Sequence, residues 1–393
     1  MTGRSMAEVR MADRLADVPG PGWDSLVGAD GFYSSYDWLR FMETQPRQRP
    51  RYLLASQEGR LTGALAVYWV DDPDAPRIRA DRFAQLLGFE GGILVAGTTR
   101  GFRTTLLLGQ QDPQARRQTL SHLVRTALSV AREDGCAGIV LPFLTTGALT
   151  ELAGVARARA AFEVPEAEIV SSGLDLDSYA ARAARSVRKK IRADRARFAQ
   201  AGWRIRVCRL GDCWPEAAGL LHQLQLKHGS SGQYSELSFY QDSLSGQARL
   251  LDGCSVAFCC EDDAGLAGVA VYYQWRDTLY GRLAGFDYDR LRGGHEYFTV
   301  AIYEPLEYAA SQGLMRVHLG GGSWQAKGYR GAVMRPRWSA FIAAGGADGE
   351  PGLDLVNGES AQQWAADFAQ HHISMDPQEW DAPPRLALAG AQR

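Results

Sequence analysis

Twice along this chain a hairpin of two apolar runs leads through a long helical segment into one buried strand. In the first half, Tyr52-Leu53-Leu54-Ala55-Ser56 and the run Leu61 to Val70 flank Gln57-Glu58-Gly59-Arg60, a turn signal between strands. Gln114 to Asp134 then carries Leu120, Leu123, Val124, Ala127, Leu128 and Ala131 at helical spacing, up to Gly135. Cys136 to Phe143 reads as a buried strand, followed by a helix near 147–160. In the second half, Ser255 to Cys260 and Gly265 to Trp275 flank Glu261-Asp262-Asp263-Ala264, and Thr278 to Phe286 adds a third strand. A helix over 295–312 ends at Gly313, and Met315 to Leu319 is a strand. Both halves read β-β-(β)-α-β, a duplication of pattern rather than of sequence. Strands interleaved with helices require an α/β (mixed α+β) fold, and the repeat implies two mixed sheets in tandem, each flanked by helices.

A chain of 393 residues accommodates two or three domains. The expected division is 1–170, 171–345 and a tail over 346–393. Residues 1–30 read as a lead-in, Trp38 to Met42 as a short helix, Asp71 to Pro76 as a loop, and the apolar runs near 83–96 and 102–108 as further strands. A hydrophobic content of 46% is ample for real cores and excludes wholesale disorder. The formal net charge of -2 argues against DNA or other nucleic acid as the dominant partner, while leaving room for a local basic patch. No run approaches the roughly 18 apolar residues of a membrane span, and the N-terminus lacks the apolar core of a signal peptide, so a cytoplasmic protein is expected. The cysteines at 136, 208, 213, 254, 259 and 260 form no C-x-x-C pair and read as reduced core thiols. The histidines show no H-E-x-x-H, and His371-His372 reads as a surface pair, so no metal site is expected.

Two segments carry the chemistry. Tyr280 to Glu296 reads as strand, basic glycine turn, then helix. Such a turn leaves several backbone N–H groups directed at one spot, where the helix dipole adds partial positive charge. Arg290, Arg292, Gly293 and Gly294 therefore form a candidate phosphate site. Asp177 to Arg209 is the most basic stretch. Arg185, Arg188, Arg192 and Arg195 fall on one helical face, beside a narrow apolar stripe of Val187, Ile191 and Phe198. That face is either simply solvated or a docking surface for a polyanion: tRNA, the acidic helix of a carrier protein, or the phosphates of a cofactor.

The segment Leu279-Tyr280-Gly281-Arg282, Glu307-Tyr308-Ala309, Gly313-Leu314, Gly320 and Lys327-Gly328-Tyr329-Arg330-Gly331 resembles the closing part of the FemAB-like acyltransferases, members of the GNAT superfamily of acyl-CoA N-acyltransferases. Ser178-Tyr179, Arg188-Lys189-Lys190-Ile191-Arg192-Ala193-Asp194-Arg195 and Gly202 are similar to that family's arginine-rich helix. The likeness covers about residues 175–342, and the first half only by plan. It implies two GNAT-like domains in tandem. The superfamily's pyrophosphate loop, Gln/Arg-x-x-Gly-x-Gly/Ala, matches Arg290-Leu291-Arg292-Gly293-Gly294-His295 at its arginine and first glycine and departs at the last position. The first half has no such loop, its equivalent stretch being Gln110 to Ala115, so the active cleft is expected in the second domain and a scaffold role in the first.

Acyl transfer to an amine requires a base for the amine, donors for the oxyanion and a proton for the leaving group. His295, Glu296 and Asp287 are the candidate bases, Glu296 being equally suited to cap the helix. Tyr273 and Tyr280 are candidate acids for a leaving thiolate. Arg282, a charge inside a strand, and Lys327 and Arg330, after the turn Gly320-Gly321-Gly322, are candidate substrate contacts; the family resemblance makes the Lys-x-x-Arg-Gly element part of the substrate site. The resulting expectation is an N-acyltransferase. It moves an acyl group from a pantetheine thioester, on CoA or an acyl carrier protein, to an amine of a small molecule or peptide in the making of a natural product or cell-envelope component. The alternatives are a Fem-type transferase that takes its acyl group from aminoacyl-tRNA, and a catalytically silent GNAT-like binding module.

Overall fold

A computed structural model of the chain describes residues 8–70, 80–109, 112–230, 232–346 and 350–380. The expected loop at Asp71 to Pro76 lies outside the described residues, as do Gln110, Gln111 and the end of the tail. The fold is mixed α/β, and the chain divides into two compact units. By contacts, one unit runs to Val164 and takes in Arg335–Asp367 and the residues from Asp376; the other comprises Pro165–Met334 and Phe368–Met375. Residues 335–345, expected in the second domain, thus belong to the first unit, and the expected tail is divided between the two.

In the first unit, β1 (Glu8–Ala12), β2 (Gln48–Gln57), β3 (Arg60–Val70), β4 (Ile93–Ala96), β6 (Gly138–Leu144), β13 (Val333–Ala343) and β7 (Arg157–Val170) lie side by side in that order. β5 (Leu107–Leu108) pairs with β3, and β14 (Gly352–Leu355) runs parallel to the start of β7. The β2–β3 turn has positive φ at both Glu58 (52°) and Gly59 (77°), the backbone that a two-residue hairpin requires. Helix α1 (Pro113–Glu133) begins where the Asp112 carboxylate accepts the N–H groups of Gln114 and Ala115. It buries the six apolar residues read from its periodicity.

The helix expected near 147–160 ends at Ala153, and β7 begins at Arg157. Its opening, Arg157-Ala158-Arg159-Ala160, is rich in good helix formers. Sheet pairing overrides that preference, burying Ala158 and Ala160 on one face and leaving Arg157 and Arg159 exposed on the other.

In the second unit the order is β7 (from Pro165), β12 (Arg316–Gly320), β11 (Thr278–Phe286), β10 (Gly265–Trp275), β9 (Ser255–Asp262) and β8 (Arg204–Cys208). All pairs are antiparallel except β11–β12. The helices used below are α2 (Arg185–Ala201), α3 (Trp214–Lys227), α4 (296–311) and α5 (Trp324–Gly328). α3 crosses β11 at Gly285, where a Cβ would sit 2.8 Å from the Leu220 carbonyl carbon, so only glycine admits the helix. α4 is not uniform. Its first turn, Glu296–Phe298, gives way to a π-helical turn at Thr299–Tyr303 before the α-helix resumes at Glu304–Ser311. Such turns are rare and recur at functional sites.

Candidate active site

The constellation in the second unit is built around Asp194. Its helix α2 is arginine-rich, yet Asp194 falls in phase with Val187, Ile191 and Phe198, and it is 1% exposed. A carboxylate there must be met by donors. Tyr303 donates its phenol to Oδ2 at 2.5 Å. Arg330 donates to the same oxygen from Nε at 2.9 Å and approaches it with Nη2 at 2.6 Å. Nδ1 of His295 lies 2.5 Å from Oδ1. Arg330 is itself 4% exposed, stands against the Phe298 ring and donates from Nη1 to the Ala326 carbonyl at 2.8 Å. Burial, reinforced by the Asp194 carboxylate, holds the Tyr303 phenol far above its ordinary pKa, so it remains a donor.

The proton positions on His295 follow from its partners. Tyr303 and Arg330 donate to Asp194, which makes that carboxylate an ionised acceptor. Nδ1 of His295 therefore carries a proton and donates it. Nε2 is left with its lone pair, and Nη1 of Arg197 donates to it at 3.0 Å. The His295 side chain is 29% exposed and Arg197 is exposed, so the lone pair lies at the surface behind one movable side chain. His295 holds a left-handed backbone, φ 59°, at the junction of the loop and α4. That turn aims the ring back at α2.

The loop 290–294 has the expected strand–turn–helix context, with its groups engaged as follows. Arg290 donates to Asp262 Oδ1 (2.6 Å) and to the Leu266 and Gly265 carbonyls. Arg292 donates to Asp262 Oδ2 (2.5 Å) and the Ala201 carbonyl (2.9 Å), and stacks on Trp203. Both loop arginines thus converge on the β9–β10 turn. The anion at the loop's amides is the chain's own Glu296. Burial alone would raise that carboxyl. The backbone N–H groups of Glu296, Arg292 and Gly294, with Nε1 of Trp203 (2.9 Å), reverse this and hold it below the usual carboxylate range.

The remaining predicted residues are distributed more widely. Tyr273 and Tyr280 are fully buried, Tyr273 donating to Gln247 at 2.9 Å and the Tyr280 ring lying beside His318. A proton donor must touch the leaving atom, and neither phenol reaches the surface. Asp287, at the end of β11, accepts the N–H of Asp289 and closes its own turn. Arg282 is half-buried in mid-β11. Lys327 is 4% exposed and donates to the carbonyls of Leu319, Gly320 and Gly321. On α2, Arg195 pairs with Asp177 and Arg188 donates to the Ala181 carbonyl. Arg185 and Arg192 are exposed, with no partner among the described residues. Of the predicted residues the structure gathers His295 and Arg330. It adds Asp194, Tyr303 and Arg197, which the sequence reading passed over. The signal for Asp194 was its place on the apolar stripe.

Cys208, Cys213 and Cys259 form a separate cluster in the same unit. In the first unit, the groove lined by Arg49, Arg51, Trp69 and Asp134 carries an Arg51–Asp134 ion pair (3.0 Å) and none of the residues above.

A histidine backed by a buried carboxylate thus stands at the strand–loop–helix junction of the second unit's mixed sheet. Solved structures agree on the fold. FemX superposes with a TM-score of 0.57 at 11% identity, covering 86% of this chain and 98% of that one. The C-terminal domain of a protein described as a lysylphosphatidylglycerol synthetase, from Agrobacterium fabrum, gives 0.52 at 15% identity over 92% and 98%. A protein of unknown function from Bacteroides thetaiotaomicron gives 0.53 at 11% over 85% and 100%. No curated protein matches the chain in sequence. The FemAB-like family, described as peptidoglycan biosynthesis/recognition, matches residues 14–347. The chain belongs to that family and is an amide-forming transferase. No helix among the described residues is long and apolar enough to cross a membrane.

Proposed function

We propose that the second unit transfers an acyl group from an activated ester or thioester to an amine, with His295 as general base. The observation that carries this is the surface lone pair on Nε2 of a histidine whose Nδ1–H is held by a buried carboxylate. The amine nitrogen attacks the acyl carbon and its proton passes to Nε2. Asp194 stabilises the imidazolium so formed. The displaced Arg197 supplies N–H groups to the developing oxyanion. Collapse of the intermediate breaks the bond to the leaving sulfur or oxygen, which takes the proton back from Nε2. Arg330 and Tyr303 act through Asp194 and are positioning residues.

A pantetheine thioester, on CoA or an acyl carrier protein, is the first donor reading; its phosphates would meet the loop 290–294. One observation favours the second reading, aminoacyl-tRNA. The Glu296 carboxylate already occupies the loop's amides, while Arg185 and Arg192 stand exposed on α2. The acceptor is an amine of a cell-envelope precursor or natural product, and the reaction is cytoplasmic in either reading.

The test measures amide formation by mass spectrometry with acyl-CoAs, an acyl carrier protein and aminoacyl-tRNA, each offered with a panel of amines. His295→Ala should lower kcat by about 10²–10⁴ with whichever donor is active. An unchanged rate would remove His295 as base. Turnover of aminoacyl-tRNA alone, weakened by Arg185→Glu/Arg192→Glu and by salt, would select the second donor. Turnover of acyl-CoA that is indifferent to those charges would select the first.

A further inference from the structure

Three cysteines far apart in sequence meet at one edge of the second unit. Cys208 ends β8, Cys213 is the N-cap of the 14-residue helix α3, and Cys259 lies in β9. The β8–β9 pairing sets Arg206 opposite Cys259 and Cys208 opposite Ala257, which brings the two thiols onto one diagonal. The three sulfurs lie within 4.8 Å of one another, and Cys208 and Cys259 are 3.8 Å apart.

Two metal–sulfur bonds of about 2.3 Å at a tetrahedral angle put their sulfurs about 3.8 Å apart. The Cys208–Cys259 separation is therefore already that of two ligands on one ion. The charge around the cluster suits thiolates as well. Arg206 lies against Cys208 and Cys259 while also donating to Glu261 at 2.9 Å. The N-terminus of α3 presents partial positive charge at Cys213, whose side chain makes no cap bond. Cys213 and Cys259 are buried and Cys208 is half-buried, which leaves the cluster closed on the core side and reachable at Cys208.

We infer that Cys208, Cys213 and Cys259 form a three-thiolate site for one thiophilic d10 metal ion, Zn(II) or Cu(I). Thiolates select such ions over hard cations. The ion ties the edge strands β8 and β9 to the start of α3. The site is separate from the Asp194 constellation and does not depend on the transfer chemistry proposed for it.

The test uses the full chain, reduced and freed of metal by a chelator, then titrated with Zn(II) against a chromophoric competitor and, in parallel, with Cu(I) under anaerobic conditions. One equivalent should bind, release protons and protect Cys208 from iodoacetamide in peptide mapping. Co(II) should give an intense thiolate charge-transfer band. Cys208→Ser, at the half-buried position, should weaken binding by more than about 100-fold, beyond what loss of a supporting group costs, while Cys254→Ser should not. Zn(II) binding assigns a four-coordinate site with an exchangeable ligand, and Cu(I) binding alone a trigonal one. Binding of neither ion, affinity unchanged in Cys208→Ser, or a Cys208–Cys259 disulfide forming in preference to metal uptake would overturn the inference. The alkylation readout on the unaltered protein holds even if substitution of the buried thiols prevents folding.

Discussion

Replacing Asp194 by Asn separates its charge from its shape. The native carboxylate accepts from Tyr303 and Arg330 on Oδ2 and from His295 on Oδ1. An asparagine can keep its oxygen toward Tyr303 and Arg330, which turns its NH2 group toward His295 Nδ1. Two donors then face each other, so the imidazole must move its proton to Nε2. The outward nitrogen loses its lone pair and the base is gone, a loss of about 10²–10⁴ in kcat, or roughly 3–5 kcal/mol in the barrier. The same substitution leaves the buried Arg330 guanidinium without its countercharge. Breaking a buried pair in this way costs about 3–5 kcal/mol. For a unit of this size that lowers the melting midpoint by about 6–20 °C. The assays are amide-forming turnover, thermal unfolding, and ¹⁵N NMR of the histidine ring, which reports the tautomer without any substrate. A wild-type tautomer with the proton on Nε2, or an Asp194→Asn variant that turns over at the native rate, would refute the reasoning. The double variant with His295→Ala should lose little more activity than either single one, because both remove the same base.

Glu296→Gln should cost about 1.5–3 kcal/mol at neutral pH, since the backbone amides around it favour the ionised form. The folded carboxyl titrates below its unfolded value, so this contribution is present above about pH 4.3 and fades as pH falls through the lower folded value; a difference between wild type and variant that is constant with pH in urea titrations would contradict it. Lys327→Met should destabilise the second unit by about 2–4 kcal/mol, because three strand-end carbonyls lose one ammonium, and Lys327→Arg should restore little. A Lys327→Met protein of native stability but lost activity would instead mark Lys327 as a substrate contact. Gly331→Ala should destabilise by more than about 2 kcal/mol, since its φ is 90° and a Cβ would lie 2.1 Å from the Tyr179 hydroxyl; native thermal stability would show that Tyr179 can yield.

The repeated hairpins and long helices were legible because their signals are local: a Glu-Gly turn, an apolar stripe, a closing glycine. β7 was not, because Arg157-Ala158-Arg159-Ala160 suits a helix until a neighbouring strand demands alternation. In the site, His295 stood out at a strand–turn–helix junction. Asp194 was masked by the arginines around it, although its phase with Ile191 placed it inward. Tyr303 had no visible signal, since its direction depends on a π turn that ordinary helical periodicity misplaces. Lys327 was singled out for its glycine-rich surroundings, yet proximity in sequence does not say whether an ammonium faces a ligand or the turn's own carbonyls. The three thiols of the β8–β9 edge are separated by 4 and 45 intervening residues, and only strand pairing brings them together.

The π turn in α4 also makes that helix a two-phase object. An added residue per turn rotates everything beyond it by about 100° relative to an unbroken α-helix. The segment before the turn keeps Glu296 beneath the loop, the segment after it beds Leu306 and Ala309 in the core, and Tyr303 sits where the two phases meet. Deleting one residue within 299–302 would restore a regular helix, and with it a conflict. Either the loop junction or the core face could stay in register, but not both, and the phenol would swing off Asp194. Insertions and deletions are ordinarily tolerated best in loops; here a single-residue deletion inside one helix sets two registers against each other.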